Sequence, residues 1–187
     1  MKGTGAFVAL ASLLALAAGT ASLAQTADDA RVTEDSVKAA YLYKFASYVD
    51  WPDSPGEDRE ESFRIGVLGA QNLADELETI TTGRVVDGRS VVVRQLRSSD
   101  SIDDLHILFV GRDEAGRLDR LLAPARMRPI LTVTDSGDAL TAGSIINFLV
   151  QDERVRFEIS LFEAEQSGLR LDSRLLAVAR TVRRVPE

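Results

Sequence analysis

The sequence predicts a single three-layer α/β domain, in which a mixed β-sheet is flanked by helices and ends in a C-terminal antiparallel hairpin. Three observations support this prediction. Apolar runs typical of strands alternate with amphipathic helical patterns along most of the chain. The last two strands are separated by four polar residues, Gln151–Arg154, which favours a tight turn. A chain of 187 residues, 45% of them hydrophobic, suits one core rather than two.

The C-terminal hairpin predicts its own register. Its strands, Ser144–Val150 and Val155–Ser160, are rich in β-branched and aromatic residues. If Asp152 and Glu153 form the loop, three apolar pairs face each other: Val150 with Val155, Phe148 with Phe157, and Ile146 with Ile159. Because strand side chains alternate, all six then point to one face, which we expect to be the interior of the sheet.

The N-terminal segment, residues 1–24, has the pattern of a secretory signal peptide. It begins with a positive charge, its apolar run over residues 6–18 is short for a membrane span, and Ala21–Ala24 ends in small residues suited to cleavage. An uncleaved anchor is the alternative. Residues 25–32 are polar and are expected to be disordered, so the folded domain is predicted over residues 33–187.

Helical spacing of Val37, Tyr41, Phe45 and Tyr48 predicts a first helix over residues 34–49, which is stopped before Pro52. The remaining pattern predicts strands over residues 63–68, 90–96, 106–110 and 130–134, and helices over residues 72–80, 113–122 and 161–166. The strand over residues 106–110 is apolar throughout and is expected to be central. A last helix is predicted from Asp172 or Ser173, with these residues on one face: Leu175, Leu176, Ala179 and Val182.

Composition excludes several classes of function. With 22 basic and 29 acidic residues the net charge is −7, which disfavours non-specific binding to nucleic acid. The chain has no cysteine, so it has neither a disulfide framework nor a thiolate nucleophile or ligand. His106 is the single histidine, so a metal cluster rich in histidine is excluded as well. We predict no metal site and no cofactor.

Three motifs contain residue types that can carry chemistry, and a structural interpretation is favoured for each. Gly66–Gly69 follows a strand and precedes a helix, as phosphate-binding loops do, but it lacks the full glycine pattern. Asp135–Asp138 contains two acids and a serine without a nearby histidine or lysine partner, which favours a capped turn. His106 opens an apolar strand, where a hydrogen-bonded structural role is commoner than a base. No catalytic residues are predicted, and the chain is not expected to be an enzyme.

Asn147 and Glu158 are the most promising residues for ligand binding. In the predicted register they face each other on the polar side of the hairpin, where polar groups need partners. Arg64 and Arg180 could supply positive charge, so the four residues could form a pocket for a small zwitterionic ligand. The alternative is a purely structural pair that attaches the hairpin to the last helix.

An aromatic stripe suggests a surface for a protein partner. Tyr41, Phe45, Tyr48 and Trp51 follow the first helix and its end. Most of the stripe is expected to lie in the core, while Tyr48 and Trp51 are candidates for contact with a partner.

Beyond these patterns, several segments form a set of recognisable motifs: Tyr41–Pro52, His106–Val110, Ile146–Phe148, Phe157–Ser160 and Gly168–Ala177. Together they resemble the signatures of the YfiR-like family, and the resemblance covers residues 37–182. It implies an exported regulatory domain rather than an enzyme.

The family resemblance also implies partners. The best-known member restrains a membrane-bound diguanylate cyclase and thereby lowers cyclic-di-GMP output and biofilm formation, and dimerisation is implied too. Family members commonly carry disulfide-forming cysteine pairs, so the lack of cysteine here excludes redox control through a disulfide. We therefore expect a periplasmic regulator of a membrane diguanylate cyclase or related sensor protein. A periplasmic small-ligand-binding module without a cyclase partner is the alternative.

We predict that the exported protein starts at Gln25, because signal peptidase cleaves after small residues such as Ala24. N-terminal sequencing of the protein from a periplasmic fraction checks this. Recovery of an intact Met1 in the membrane fraction would instead show a tethered protein.

Overall fold

The computed structural model describes residues 34–52 and 62–185. The predicted signal peptide, residues 1–24, and the predicted disordered segment, residues 25–32, lie outside the described residues. Five helices are described: α1 (residues 34–45), α2 (Gln71–Thr81), α3 (Leu118–Leu122), α4 (Leu161–Gln166) and α5 (Ser173–Val178). The strands are β1 (Val49–Asp50), β2 (Ser62–Leu68), β3 (Val85–Val86), β4 (Arg89–Leu96), β5 (Ile107–Val110), β6 (Leu131–Thr134), β7 (Ile146–Gln151), β8 (Arg154–Ser160), β9 (Arg170–Leu171) and β10 (Thr181–Arg183).

Eight strands form one mixed sheet in the order β10-β8-β7-β6-β5-β2-β4-β3. The five strands from β7 to β4 run parallel, whereas β8 and β3 join as antiparallel neighbours of β7 and β4. Strands β1 and β9 form a separate antiparallel ribbon. The predicted mixed sheet and C-terminal hairpin are therefore confirmed.

Strand β5 lies between β6 and β2, and all four of its residues are buried. Ile107 and Phe109 belong to a core cluster with α1 and α2, while Leu108 and Val110 belong to a second cluster with α3. Because side chains alternate along a strand, both faces of the sheet are covered by helices, as expected for a central parallel strand.

The hairpin has the predicted register. Phe148 is paired with Phe157 and Asn147 with Glu158, and positive φ angles at Asp152 (50°) and Glu153 (58°) suit a two-residue turn. The expectation that all six apolar residues are interior is wrong at the tip, because Val150 is 51% exposed. β6 pairs with β7 only through Val133 and Thr134, so the tip of the hairpin extends past its neighbour.

Three predicted helices have different bounds in the structure. α1 ends at residue 45, and Val49 instead pairs with Leu171 in the small ribbon. The helix predicted over residues 113–122 is a 3-10 segment (Arg112–Arg117) followed by α3, and the 3-10 segment contains the poor helix former Gly116. α5 ends at Val178, and Val182 lies in β10 beside Ile159 of β8.

The substitution Phe157→Ala should lower the free energy of unfolding by about 3–5 kcal/mol, as for other buried aromatic truncations. Phe157 is 2% exposed and its ring lies 5.2 Å from that of Phe45 and 5.5 Å from that of Tyr41. Urea unfolding followed by circular dichroism measures the loss. Val150→Ala at the exposed tip is the matched control and should cost less than about 1 kcal/mol. Equal losses would contradict the packing described here.

Candidate functional site

A cavity of about 530 Å³ lies where the β7–β8 hairpin extends beyond the end of β6. One wall is formed by the hairpin, and the opposite wall by the start of α1 and the loops that follow β5 and β6. Its polar lining includes these residues: Glu34, Lys38, Arg112, Asp135, Ser136, Asp138, Asn147 and Glu158. Apolar surface comes from Ala115, Phe148, Leu149 and Val150.

A row of polar side chains crosses three strands at this cavity. Thr134, Asn147 and Glu158 are successive partners on β6, β7 and β8. The Thr134 hydroxyl donates to Oδ1 of Asn147 (2.9 Å), and Nδ2 of Asn147 donates to Oε1 of Glu158 (3.3 Å). These two bonds fix the amide of Asn147. The second oxygen of Glu158 accepts no hydrogen bond from the described residues.

A cluster of four charged side chains joins α1 to the ends of β5 and β6. Lys38 is only 1% exposed, and its Nζ lies 2.6 Å from Oε1 of Glu34 and 2.5 Å from Oδ2 of Asp135. Arg112 contacts both carboxylates from the solvent side, with 3.1 Å between its Nη2 and Oδ2 of Asp135. The two cations and two anions of this cluster neutralise each other.

Burial and charge act against each other on the acids at the start of α1. Burial raises the pKa of Glu34, but hydrogen bonds and charges from Lys38 and Arg112 together place that pKa below its ordinary value. At Asp35, burial prevails over the attraction of Lys38, and its pKa is raised. The cations of the cluster therefore outweigh the effect of burial on the pKa of Glu34 but not on that of Asp35.

Two buried polar atoms at the cavity have no partner among the described residues. They are Oδ1 of Asp135, whose side chain is 8% exposed, and Oγ of Ser136, a residue that is 7% exposed. A buried polar atom without a hydrogen bond costs about 1–3 kcal/mol. Both atoms belong to residues that line the cavity, but the atoms themselves are buried and are not open to its interior.

The structure separates the four residues predicted to bind a ligand. Asn147 and Glu158 face each other across β7 and β8. Arg64 lies on β2, which is three strands away from β7 in the sheet. Along β2 it also lies four residues before Leu68, which is the residue level with Asn147. Arg64 instead lies near Asp104, with 3.6 Å between Nε and Oδ2. The backbone N–H of Arg180 donates to the carbonyl of Phe157 (2.8 Å), and its exposed side chain forms no ion pair with Glu158 within the described ranges.

Sequence reasoning missed Lys38 and Arg112 as members of a site. It interpreted Asp135–Asp138 as a capped turn without a lysine partner, but Lys38 from α1 is such a partner of Asp135. A signal for Lys38 was present, because it shares helical spacing with Tyr41, Leu42 and Phe45 and so lies on the apolar face of α1. Arg112 and Asp135 follow parallel strands at their carboxyl ends, where sites in α/β sheets form. Their convergence depends on sheet order and could not be read from the chain.

The crevice between β2 and β5, where the sheet order reverses, does not offer a nucleotide site. The N–H of Gly111 donates to the carbonyl of Leu68 (2.8 Å), and a methyl group at Gly111 would lie 2.2 Å from the carbonyl oxygen of Gly69. Backbone therefore fills the crevice, which favours the structural interpretation of Gly66–Gly69.

Tyr48 and Trp51, the predicted partner residues, lie beyond the end of α1 and are both half-buried. The Trp51 ring packs edge-on against Phe63 (5.1 Å), and its buried Nε1 has no partner among the described residues. The Arg174 guanidinium lies 5.2 Å above the Tyr48 ring.

His106 stacks on Phe63 (4.5 Å), and its Nδ1 accepts from the backbone N–H of Arg64 (3.2 Å), which supports a structural role.

The described residues contain no cluster of acids and His106 that could hold a metal ion, and no helix among them could cross a membrane. Together, the fold and the cavity define a mixed α/β domain with a polar cavity at the carboxyl edge of its sheet. The chain belongs to the YfiR/HmsC-like family, whose model matches residues 35–180.

A solved structure shares this fold. It is a conserved domain protein from Vibrio cholerae O1 biovar El Tor, with a TM-score of 0.51 and 14% sequence identity. The match covers 64% of this chain and 54% of the Vibrio chain, so the present chain spans about half the length of that relative. At this identity the likeness concerns the fold alone.

We predict that Lys38→Ala lowers the free energy of unfolding by about 3–5 kcal/mol, because it removes one partner of a buried ion pair. Arg112→Ala removes the same charge from a half-exposed position in the same cluster and should cost below about 1 kcal/mol. Urea unfolding at neutral pH compares the two variants. Similar losses would mean that the burial of Lys38 does not determine how much it contributes to the free energy of unfolding.

Proposed function

We propose that this protein is a periplasmic regulator that binds a membrane diguanylate cyclase and restrains its synthesis of cyclic-di-GMP. The observation that carries the proposal is the family match over residues 35–180, which agrees with the sequence motifs described above. The lack of a legible nucleophile–base pair in the sequence favours action by binding rather than by catalysis.

The surface around Tyr48 and Trp51 is the proposed contact with the membrane partner or with a second copy of the chain. Aromatic residues are enriched among those that dominate the energy of protein interfaces. Tyr48 and Trp51 are each half-buried, so part of each side chain is open to a partner.

A small-ligand-binding module without a cyclase partner is the second candidate, and the cavity favours it. Its volume of about 530 Å³ lies in the range of small-molecule sites, and Asn147 and Glu158 line it as a preformed pair. Deletion of the gene separates the two candidates, because a ligand module without a cyclase partner would leave cyclic-di-GMP unchanged.

We expect deletion of the gene to raise cellular cyclic-di-GMP and the wild-type gene to restore the lower level. Trp51→Ala should fail to restore it and should weaken capture of the cyclase by at least tenfold, since interface tryptophans are common hot spots. Mass spectrometry of cyclic-di-GMP and a pull-down from detergent-solubilised membranes measure both effects.

Met127→Ala, at an exposed residue on the loop before β6, is the control and should behave as wild type. Thermal unfolding of the purified variants verifies that each is folded, and Tyr48→Ala offers a second variant of the same surface. Unchanged cyclic-di-GMP on deletion, together with a pull-down that contains no cyclase, would overturn the proposal.

A further inference from the structure

We propose that the outer edge of β4 binds an extended, acidic segment of a partner protein, which pairs with the β4 backbone and adds a strand to the sheet. This surface is separate from the cavity and from Tyr48 and Trp51, and the inference does not depend on restraint of a cyclase. It rests on unpaired backbone groups of β4, on exposed apolar side chains beside them and on the charge of the surrounding segment.

β4 has a strand neighbour along the whole of one edge but along only a short part of the other. On the inner side, Ser90–Leu96 pair with β2. On the outer side, β3 is the last strand of the sheet and pairs only with the first two residues of β4. One further hydrogen bond runs from the N–H of Val91 to the carbonyl of Arg84, the residue before β3 (3.3 Å). From there to Leu96, the described residues place no strand beside β4.

The alternation of a strand identifies the backbone groups on this open edge. Because the N–H of Val91 points outward to Arg84, the N–H and carbonyl groups of Val93 and Gln95 point outward as well. The carbonyl of Val91 belongs to the same row, since the N–H of Arg84 donates to the carbonyl of Thr81 instead (2.9 Å). These five groups, two donors and three acceptors, have no hydrogen-bond partner within the described ranges. An added strand would satisfy them.

The charged residue within the open row does not block it. Edge strands are commonly protected by charged side chains or by proline. Arg94 instead donates two hydrogen bonds to Asp104 (2.9 Å each), whose Oδ2 also lies 3.6 Å from Nε of Arg64 on the inner neighbour β2. The Arg94 guanidinium is therefore directed inward over the sheet and away from the open edge. At the end of β4, the N–H of Arg97 donates to Oδ2 of Asp100 (2.9 Å), which closes the row.

Exposed valines lie beside the open edge. Val92 is 38% exposed, and Val85 of β3 is 60% exposed. Val85 is level with Ser90, so it lies on the same face of the sheet as Val92. An apolar side chain on an added strand, opposite Val92, would remove this surface from water. Strand addition generally combines backbone hydrogen bonds, which give affinity, with side-chain contacts of this kind, which give specificity.

The charge of the segment favours an acidic partner. Residues 84–97 contain four arginines and a single acid, Asp87, within a chain whose net charge is −7. Arg84 and Arg97 flank the open row, about 20 Å apart along the strand, and neither forms an ion pair with another described residue. Acids near both ends of an added strand would meet these guanidinium groups, whereas β4 of a second copy would bring arginines together.

Fluorescence anisotropy with the purified protein tests this inference. The probe is a labelled peptide of about seven residues, long enough for the row, that alternates valine and threonine between terminal glutamates. One control peptide carries lysine in place of glutamate, and the other has its inner backbone nitrogens methylated, which removes their donors. We expect saturable binding of the probe and about tenfold weaker binding of both controls.

Two substitutions at one position connect binding to the backbone of β4. Gln95→Pro removes an outward N–H, whereas Gln95→Ala removes the same side chain and keeps that donor. Proline is tolerated on an edge strand where its nitrogen faces away from the sheet, so Gln95→Pro should fold, and thermal unfolding verifies it. We expect Gln95→Pro to weaken binding about tenfold and Gln95→Ala to bind as wild type.

A charge reversal tests the choice of an acidic partner. Arg97→Glu should weaken binding of the glutamate peptide, while Arg156→Glu should leave it unchanged. Arg156 is exposed on β8, towards the other end of the sheet, and serves as the matched control.

Amide hydrogen exchange followed by nuclear magnetic resonance locates the bound peptide. In the free protein, the amides of Val93 and Gln95 should exchange faster than those of Val92 and Arg94, which point towards β2. The bound peptide should slow exchange at Val93 and Gln95. If Gln95→Pro fails to fold, this exchange experiment and Arg97→Glu decide the question.

Absence of saturable binding would overturn the inference, as would equal losses in Gln95→Pro and Gln95→Ala. Equal binding of the lysine peptide would overturn the acidic class of partner. A dimer that dissociates in Gln95→Pro, measured by light scattering, would show that a second copy occupies the edge instead. The cellular assay is independent: unchanged cyclic-di-GMP on deletion would remove the cyclase and leave the β4 edge standing.

Discussion

The contact between Lys38 and Asp135 is the constraint on which the architecture of the site depends. An ammonium group that is 1% exposed must be balanced by carboxylates, because an unpaired buried charge is strongly destabilising. Glu34 supplies one carboxylate from the same helix, and Asp135 supplies the other from the end of β6. The start of α1 is thereby held at the carboxyl edge of the sheet, where it becomes a wall of the cavity.

The same contact leaves part of the site incomplete. Lys38 and Arg112 both use Oδ2 of Asp135, so its Oδ1 and the adjacent hydroxyl of Ser136 remain without partners. Buried polar groups are nearly always satisfied in folded proteins, and exceptions tend to mark function. The cavity thus lies beside a neutralised charge cluster whose neighbouring buried acceptors have no partner among the described residues.

Helix α1 connects the cavity with the aromatic surface. Its first turn carries Glu34 and Lys38, its apolar face packs through Phe45 against Phe148 and Phe157, and Tyr48 and Trp51 follow its end. Phe148 in turn lines the cavity. A packed core transmits small displacements because its side chains fill space closely. A ligand at the cavity and a partner at Trp51 would therefore act on one continuous body of the structure.

The sequence by itself determined the α/β class, the central position of β5 and the register of the hairpin, because these depend on local periodicity and a two-residue turn. It also indicated Asn147 and Glu158 as a pair. Tertiary structure decided the rest: Thr181–Arg183 became a strand because β8 offered an edge to it, and Arg64 was separated from Glu158 by three strands. The assembly of Lys38, Arg112 and Asp135 likewise depends on sheet order, which brings residues 97 positions apart into contact. No local pattern encodes such a distance.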